Sequence, residues 1–423
     1  MPGRPTVLII APHGSYRTLS FIAAADRMGV HALIASEGKH SIVSAYARGV
    51  HIDFSDADAA LAELLRVAGQ HNIVGVIGTD DATTELAATL AKTLGLPHNE
   101  PAAVRIARRK DHARACLSQH GVPVPQHWRL DLGLPLASQL EQIAYPVVVK
   151  PIALSASRGV IRADSPFELQ QAIERVSRLL QGISDLDEEA RRFLLVEEYV
   201  PGVEIAIEAM LVHGQLHILT VFDKPDPLEG PFFEETYYVT PTRLSMQQQT
   251  EVEAVLQQAC AAYGLQEGPV HAECRVNARG VFVIEIAART IGGLCGRLLR
   301  FGTGYSLEEL VLAHAMDKTL SLKREPGAAG VLMIPIPQAG MLKRVEGLLA
   351  AQRVPYIVDI DIQVREGHEL VPLPEGASYL GFIFSHAPTI QEAEQALRDA
   401  HACLHFVIAP IWKLNQGTTV CVA

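Results

Sequence analysis

Glu273 and Glu285 lie in HAECRVNARGVFVIEIAART, two strand-like runs joined through Ala278-Arg279-Gly280. A three-residue hairpin loop favours a left-handed residue at its third position, where Gly280 falls. Such a loop pairs Asn277 with Val281 and carries Glu273 directly opposite Glu285. Opposed side chains have Cβ atoms about 5 Å apart, where like charges repel. A hard divalent cation with oxygen ligands neutralises the pair, and Mg²⁺ held this way completes its shell with water and substrate phosphates. The expected chemistry is therefore nucleotide binding. Alternation puts Ala287 and Arg289 on the side of Glu285, so a guanidinium stands close enough to stabilise charge developing in phosphoryl or acyl transfer. The competing reading is an exposed hairpin face bearing Glu and Arg.

Other segments converge on a triphosphate. VVVKPIALSASRGV places Lys150 at a strand end, before a small-residue loop in which Ser155, Ser157 and Gly159 are the natural contacts. Lysine neutralises phosphate as a point charge, and backbone amides of such a loop approach its oxygens closely. A solvated loop is the alternative. In LLVEEYVPGVE, the stretch Glu197, Glu198 to Val200 reads as a hinge whose backbone could meet an adenine edge, and Glu204 as an acceptor for ribose hydroxyls. Lys110, in ARRKDHAR, is a further candidate for phosphate on a stretch that also reads as a solvated basic face. FDKPDPLEGPFFEETYYVTP adds Lys224, Glu235 and Tyr237 as candidate substrate contacts, with a loop packed by its own aromatics as the alternative. Among seventeen histidines without metal-ligand spacing, His271 stands nearest the hairpin site.

The elements that must hold these groups follow from periodicity. TVLIIAP, VHALIAS and NIVGVIGTDD alternate with helical stretches from Leu19 to Met28 and from Ala57 to Ala68, the pattern of a parallel α/β unit over residues 1–100. On such sheets ligands collect beyond the strand carboxyl ends, at His13 to Arg17 and Thr79-Asp80-Asp81. A lone Gly14 without G-x-G-x-x-G argues against a dinucleotide site. Proline-rich punctuation near residue 100 opens a second unit, 101–319, with a lid subdomain over roughly 122–195 and a helix from about Ser165 to Leu180. GVLMIPIP, YIVDIDIQV and LGFIFSHA, with a helix from Thr389 to Leu404, predict a small α+β unit over 320–423.

Bulk properties bound the function. The length favours about three domains, and 48% hydrophobic with 20% charged residues describes a folded chain. A net charge of −11 argues against nucleic acid and anionic membrane as partners. The apolar run at the start is too short for a signal sequence, and no run of about 18 apolar residues follows, so a cytoplasmic setting is expected. Cys116, Cys260, Cys274, Cys295, Cys403 and Cys421, with no C-x-x-C, suit reduced thiols.

Taken in order, Lys110, VVVKP, SASRGV, EEYVPGVE and HAECRV…VIEIAARTIGG resemble the ATP-grasp superfamily, over nearly the whole chain. FDK, FFEETYYVTP, EIAARTIGG and the terminal GVLMIPIP to FIFSHA region are most similar to its L-amino acid ligase branch. The resemblance implies an ATP-grasp fold behind an N-terminal pre-ATP-grasp α/β domain. It implies Glu273 and Glu285 on one or two Mg²⁺ ions, with Mn²⁺ an alternative, Lys110 and Lys150 on phosphates, and Glu204 on ribose. Arg289 would stabilise a phosphorylated intermediate, and Gly292-Gly293 would allow close backbone approach. The implied reaction joins two amino acids through an aminoacyl phosphate with release of ADP and phosphate, and a homodimer is a reasonable assembly. The family pattern often carries Asn where this chain has Ala287, which bears on the second metal position. Rival readings are a bicarbonate- or formate-activating enzyme and a nucleotide-binding regulatory protein without turnover.

Overall fold

The computed structural model describes residues 4–37, 49–184, 186–322 and 325–411; Cys421 lies outside them. Four strands, β1 (Pro5–Ile10), β2 (His31–Ser36), β3 (Gly49–His51) and β4 (Asn72–Gly78), form a parallel sheet in the order β3-β2-β1-β4. Its centre, Val7 to Ile10, is fully buried, as a strand covered on both faces requires. Helices Arg17–Arg27 and Ala57–Ala68 link its strands and helix Asp81–Thr93 follows β4; the first starts two residues earlier than its apolar pattern predicts. Asp80 caps the third, whose Thr83 Oγ1 accepts from Asp80 N at 3.2 Å.

A second sheet combines β5 (His127–Asp131), β6 (Val147–Pro151), β7 (Ile161–Ala163) and β8 (Phe193–Glu198) in the order β5-β8-β6-β7. Helix Pro166–Gln181 covers one face, with Leu169, Ala172, Ile173, Val176 and Leu180 buried. Its Pro occupies the first turn, where the missing N–H costs nothing, and the Ser165 side chain accepts from Glu168 N.

The largest sheet has eight strands in the order β13-β12-β9-β10-β11-β14-β18-β16. They are β9 (Val203–Val212), β10 (Gln215–Asp223), β11 (Tyr237–Thr240), β12 (Gly268–Asn277), β13 (Gly280–Ala287), β14 (Ala328–Ile334), β16 (Ile357–Ile362) and β18 (Gly381–Ala387). All neighbours pair antiparallel. The pairing of β11 with β14, Val239 opposite Gly330, carries the sheet across position 320 without a break. Helix Met246–Tyr263 buries Val252, Leu256, Ala259 and Cys260 against β9, β12 and β13. Residues after 320 also form a separate three-stranded sheet of β15 (Gly340–Glu346), β17 (Glu369–Leu370) and β19 (His405–Ala409). Helix Ile390–Cys403, capped by Thr389, presents Ala393, Ala396, Leu397 and Ala400 to this end of the core. Among the described residues no helix is long and apolar enough to cross a membrane, and five cysteines are free.

Candidate active site

Glu273 faces Glu285 across β12 and β13, but by a different path from the one the sequence predicts. The turn holds two residues, with Asn277 opposite Gly280 and Val276 opposite Val281. That register alone would miss the glutamate pair. A bulge at Ile284, between the Cys274–Val283 and Glu273–Glu285 pairs, restores it. The backbone groups released there find partners: Arg114 donates to the carbonyls of Val283 and Ile284, each at 2.7 Å, and Val283 N donates to Pro123 O at 3.0 Å. Gly280, at φ +120°, supplies the positive φ of the turn.

Both glutamates line a cavity of about 660 Å³ where the three larger sheets meet. Lys110 begins helix Lys110–Gln119, and its Nζ donates to Leu154 O at 2.9 Å and lies 3.1 Å from Glu285 Oε2. It therefore joins the loop after β6 to the hairpin. Lys150, at the end of β6, pairs with Glu197 Oε2 at 2.5 Å, while Arg114 Nε takes Glu197 Oε1 at 2.5 Å. Burial pushes the Glu197 carboxyl up, but the two cations outweigh it and hold it at about 2. Its side chain is thus committed to holding Arg114 and Lys150, leaving only backbone for an adenine edge. Glu198 pairs with Arg279 at 2.8 Å, and Val200 O accepts from Arg275 at 3.0 Å.

At the other end of the cavity, buried Lys224 is surrounded by carboxylates: Glu204 at 2.8 Å, Glu235 at 2.5 Å and Glu273 at 3.3 Å. Glu204 is also held by Arg275 at 2.7 Å. Glu235 and Glu273 thus share the ammonium with a Glu204 that Arg275 also neutralises. Burial and then the Glu273 charge push Glu235 up to about 7, against the pull of Lys224. His271 Nδ1 lies 2.7 Å from Glu208 Oε1 and its Nε2 lies 3.6 Å from Glu273. Burial lowers the imidazole, but hydrogen bonding to Glu208 and Glu273 prevails and raises it to about 9. Glu208, fully buried, is raised chiefly by desolvation, against hydrogen bonds from His271 and the Ile291 backbone.

Arg289 follows β13 and is 8% exposed. Its Nε and Nη2 both lie 2.9 Å from Asp81 Oδ2, and Nη1 donates to Thr290 O at 2.9 Å. Desolvation lowers its affinity for the proton, but Asp81 and Glu285 override this and the guanidinium is held charged. Gly293, at φ +62°, packs against Phe382, whose Cε1 would stand 3.0 Å from a Cβ there. A side chain at 293 would need the ring to move.

Ser155, Ser157, Glu198, Val200, Glu204, Glu235, His271, Gly292 and Gly293 all line the cavity. Three expected contacts do not. Gly159, at φ +73°, turns the loop against Pro151, whose Cγ a Cβ would meet at 2.8 Å, and its N–H donates to Pro374 O. Lys224 lies beneath the carboxylates. Tyr237 packs under Arg398, 4.3 Å from its ring centre, while strand alternation turns neighbouring Tyr238 to the cavity. The sequence carries no signal of what Arg114, Arg275 and Asp81 hold, because their partners lie far along the chain. It flagged the Asp80-Asp81 loop only by position at a strand end.

The oxygen-only donors of Glu273 and Glu285, with lysines beside them, fit a hard cation carrying phosphates. Carboxylate oxygens of Glu204, Glu235 and Glu273 also come within 4.8 Å of one another, but Lys224 already neutralises part of that cluster.

Residues 22–98 match the family model of the ATP-grasp N-terminal domain, residues 143–297 that of the ATP-grasp domain, and residues 332–409 that of L-amino acid ligase C-terminal domain 2. Carnosine synthase 1 of Homo sapiens is 27% identical over 348 residues, which are 77% of this chain and 41% of that one. Alanine–anticapsin ligase of Bacillus subtilis is 24% identical over 251 residues, 56% of this chain and 52% of that one. The chain thus spans about half or less of these curated relatives. The crystal structure of L-amino acid ligase from Bacillus licheniformis has the same fold, with a TM-score of 0.83, 24% identity and coverage of 96% of this chain and 99% of that one.

Proposed function

The chain belongs to the ATP-grasp superfamily of ligases, and from that premise we propose that it joins the carboxylate of one amino acid to the amine of another, with ATP converted to ADP and phosphate. The observation that carries this reading is the meeting of Glu273, Glu285, Lys110, Lys150 and Arg289 around one cavity. A carboxylate oxygen of the first amino acid takes the γ-phosphoryl group, and ADP leaves. The nitrogen of the second, as the neutral amine, attacks the acyl carbon, the bond from that carbon to the bridging oxygen breaks, and the departing phosphate takes the proton that the nitrogen gives up.

Glu273 and Glu285 are the groups that would hold Mg²⁺, with Mn²⁺ as a substitute. When bound, the ion neutralises phosphate charge. Lys110 and Lys150 orient the triphosphate, and Ser155 and Ser157 bring backbone amides of the lid loop towards it. Glu204 is positioned for the ribose. Arg289, held charged, stabilises the negative charge that grows on the acyl and phosphoryl oxygens. Arg158 Nε donates to Glu375 O at 2.8 Å, which ties the lid to the C-terminal region and keeps water from the intermediate. Residues 1–100, 101–319 and 320–423 serve in this reading as N-terminal, ATP-grasp and C-terminal units, in a cytoplasmic setting.

The test is phosphate release by purified protein with ATP and Mg²⁺ over pairs of L-amino acids, with mass identification of products. Release that requires two amino acids and a product of their summed mass less water support the reading. Stimulation by bicarbonate alone, or nucleotide binding without ADP under every mixture, would overturn it.

A further inference from the structure

Arg289 does not hold itself in place. It lies beyond the end of β13, and its grip comes from Asp81, separated by 208 positions, in the parallel-sheet unit. Asp81 is the first residue of helix Asp81–Thr93, and three features define where that residue sits. Gly78 ends β4 so tightly on the helix that a Cβ would stand 2.9 Å from the backbone of Thr83 and Thr84. Asp80 is fixed beside it by Thr79 Oγ1 at 2.6 Å, Ser15 Oγ at 2.7 Å and the Arg17 guanidinium. Arg17 in turn donates through Nη2 to Ile291 O at 3.3 Å, so the same loop also holds the chain two residues after Arg289.

We infer that Asp81 is a positioning residue that sets the orientation of the Arg289 guanidinium for charge stabilisation at the reacting centre. The argument is one of donor count. Of five guanidinium N–H bonds, Asp81 Oδ2 takes the one on Nε and faces Nη2 at 2.9 Å as an ion pair, and Thr290 O takes one from Nη1. At least one on each terminal nitrogen remains for an anionic oxygen of the substrate. A carboxylate gripping the Nε and Nη2 edge fixes the plane of the guanidinium as well as its charge. A lone backbone carbonyl at Nη1 would leave that plane free to turn. The N-terminal unit therefore contributes to catalysis through Arg289, in addition to whatever its loops contact directly.

The inference rests on the role given to Arg289 above. The test uses the full chain, MgATP, the L-amino acid most active in the pair screen, and hydroxylamine as nucleophile, with hydroxamate as readout. Asp81→Ala is expected to lower kcat by about 10- to 100-fold, the scale of a misplaced reacting group, with KM for MgATP within about 2-fold. In an Arg289→Lys background, which keeps the charge without the two-point grip, Asp81→Ala should cost less than about 2-fold. Asp81→Glu should recover part of the loss. Full additivity of Asp81→Ala with Arg289→Lys, an unchanged kcat, or an equal rise in KM for MgATP would overturn the positioning role. If Arg289→Lys and Arg289→Ala both turned over normally, the role of Arg289 itself would fail, a different result from additivity.

Discussion

Glu285 stands opposite Glu273 across the hairpin, yet the cation that answers it is Lys110, 3.1 Å away and bonded also to the lid-loop carbonyl of Leu154. One ammonium thereby joins the hairpin and the loop that must close over a triphosphate.

Replacing Lys110 with Gln should loosen both attachments. The expected outcome is a KM for MgATP raised by about 10-fold with a smaller change in kcat, since the group binds ground state and transition state alike. A steady-state titration of ATP at fixed amino acids reads this. A fall in kcat with KM unchanged would place Lys110 at the transferring phosphoryl group.

Chelation of divalent ions should abolish turnover, and Mg²⁺ or Mn²⁺ should restore it. Glu285→Gln and Glu273→Gln should each raise the ion concentration needed for half-maximal activity. Activity indifferent to chelator, or identical ion dependence in both variants and the parent, would count against these two residues as the ligands.

Arg114 serves Glu197 and the two bulge carbonyls at once. Arg114→Met should leave Glu197, 2% exposed, with Lys150 alone and the carbonyls without donors. Loss of one partner from a buried pair costs about 3–5 kcal/mol, to be read by urea unfolding. A change below about 1 kcal/mol would mean that water replaces the guanidinium.

In the metal-free protein, His271 has a folded value near 9 against 6.5 in the free side chain. Raised affinity for the proton stabilises the folded state fully below 6.5, and the contribution fades as pH rises through 9. The melting temperature of the parent minus that of His271→Gln should therefore shrink between pH 7 and pH 10. A difference that grew over this interval would show that the imidazole is held neutral.

The lid is tied to the C-terminal region through Arg175, which donates to both oxygens of Glu375 at 2.6 and 2.9 Å. Both groups are partly exposed, so the pair contributes at most about 1 kcal/mol. Glu375→Gln should leave the fold intact while raising the ratio of phosphate released to amide formed. An unchanged ratio would mean that the lid stays shut without this pair.

The sequence alone reveals more of the site than of its supports. Alternation within a hairpin is local, so the sequence brings Glu273, Glu285 and Arg289 to one face, and in the structure all three line one cavity although the turn is one residue shorter than the sequence predicts. The error and the unseen bulge at Ile284 cancel. A bulge has no residue-type signature, and this one depends on Arg114 and Pro123 from another segment. The same limit hid Asp81 behind Arg289 and Arg275 behind Glu204, since pairing at long separation is decided by the packed fold. Tyr237 and Tyr238 are indistinguishable at the level of sequence, since two adjacent tyrosines do not announce which one a short strand will turn inward.

The uninterrupted passage of the largest sheet from β11 into β14 makes residues 328–387 unsuitable for removal as a module. A chain stopped near 320 would leave β11 with an open hydrogen-bonding edge, a few residues from Glu235, and such an edge invites pairing with other chains. Shortened versions should therefore aggregate rather than yield a smaller nucleotide-binding protein, and backbone amides on either side of the β11–β14 seam should exchange with solvent at a common rate.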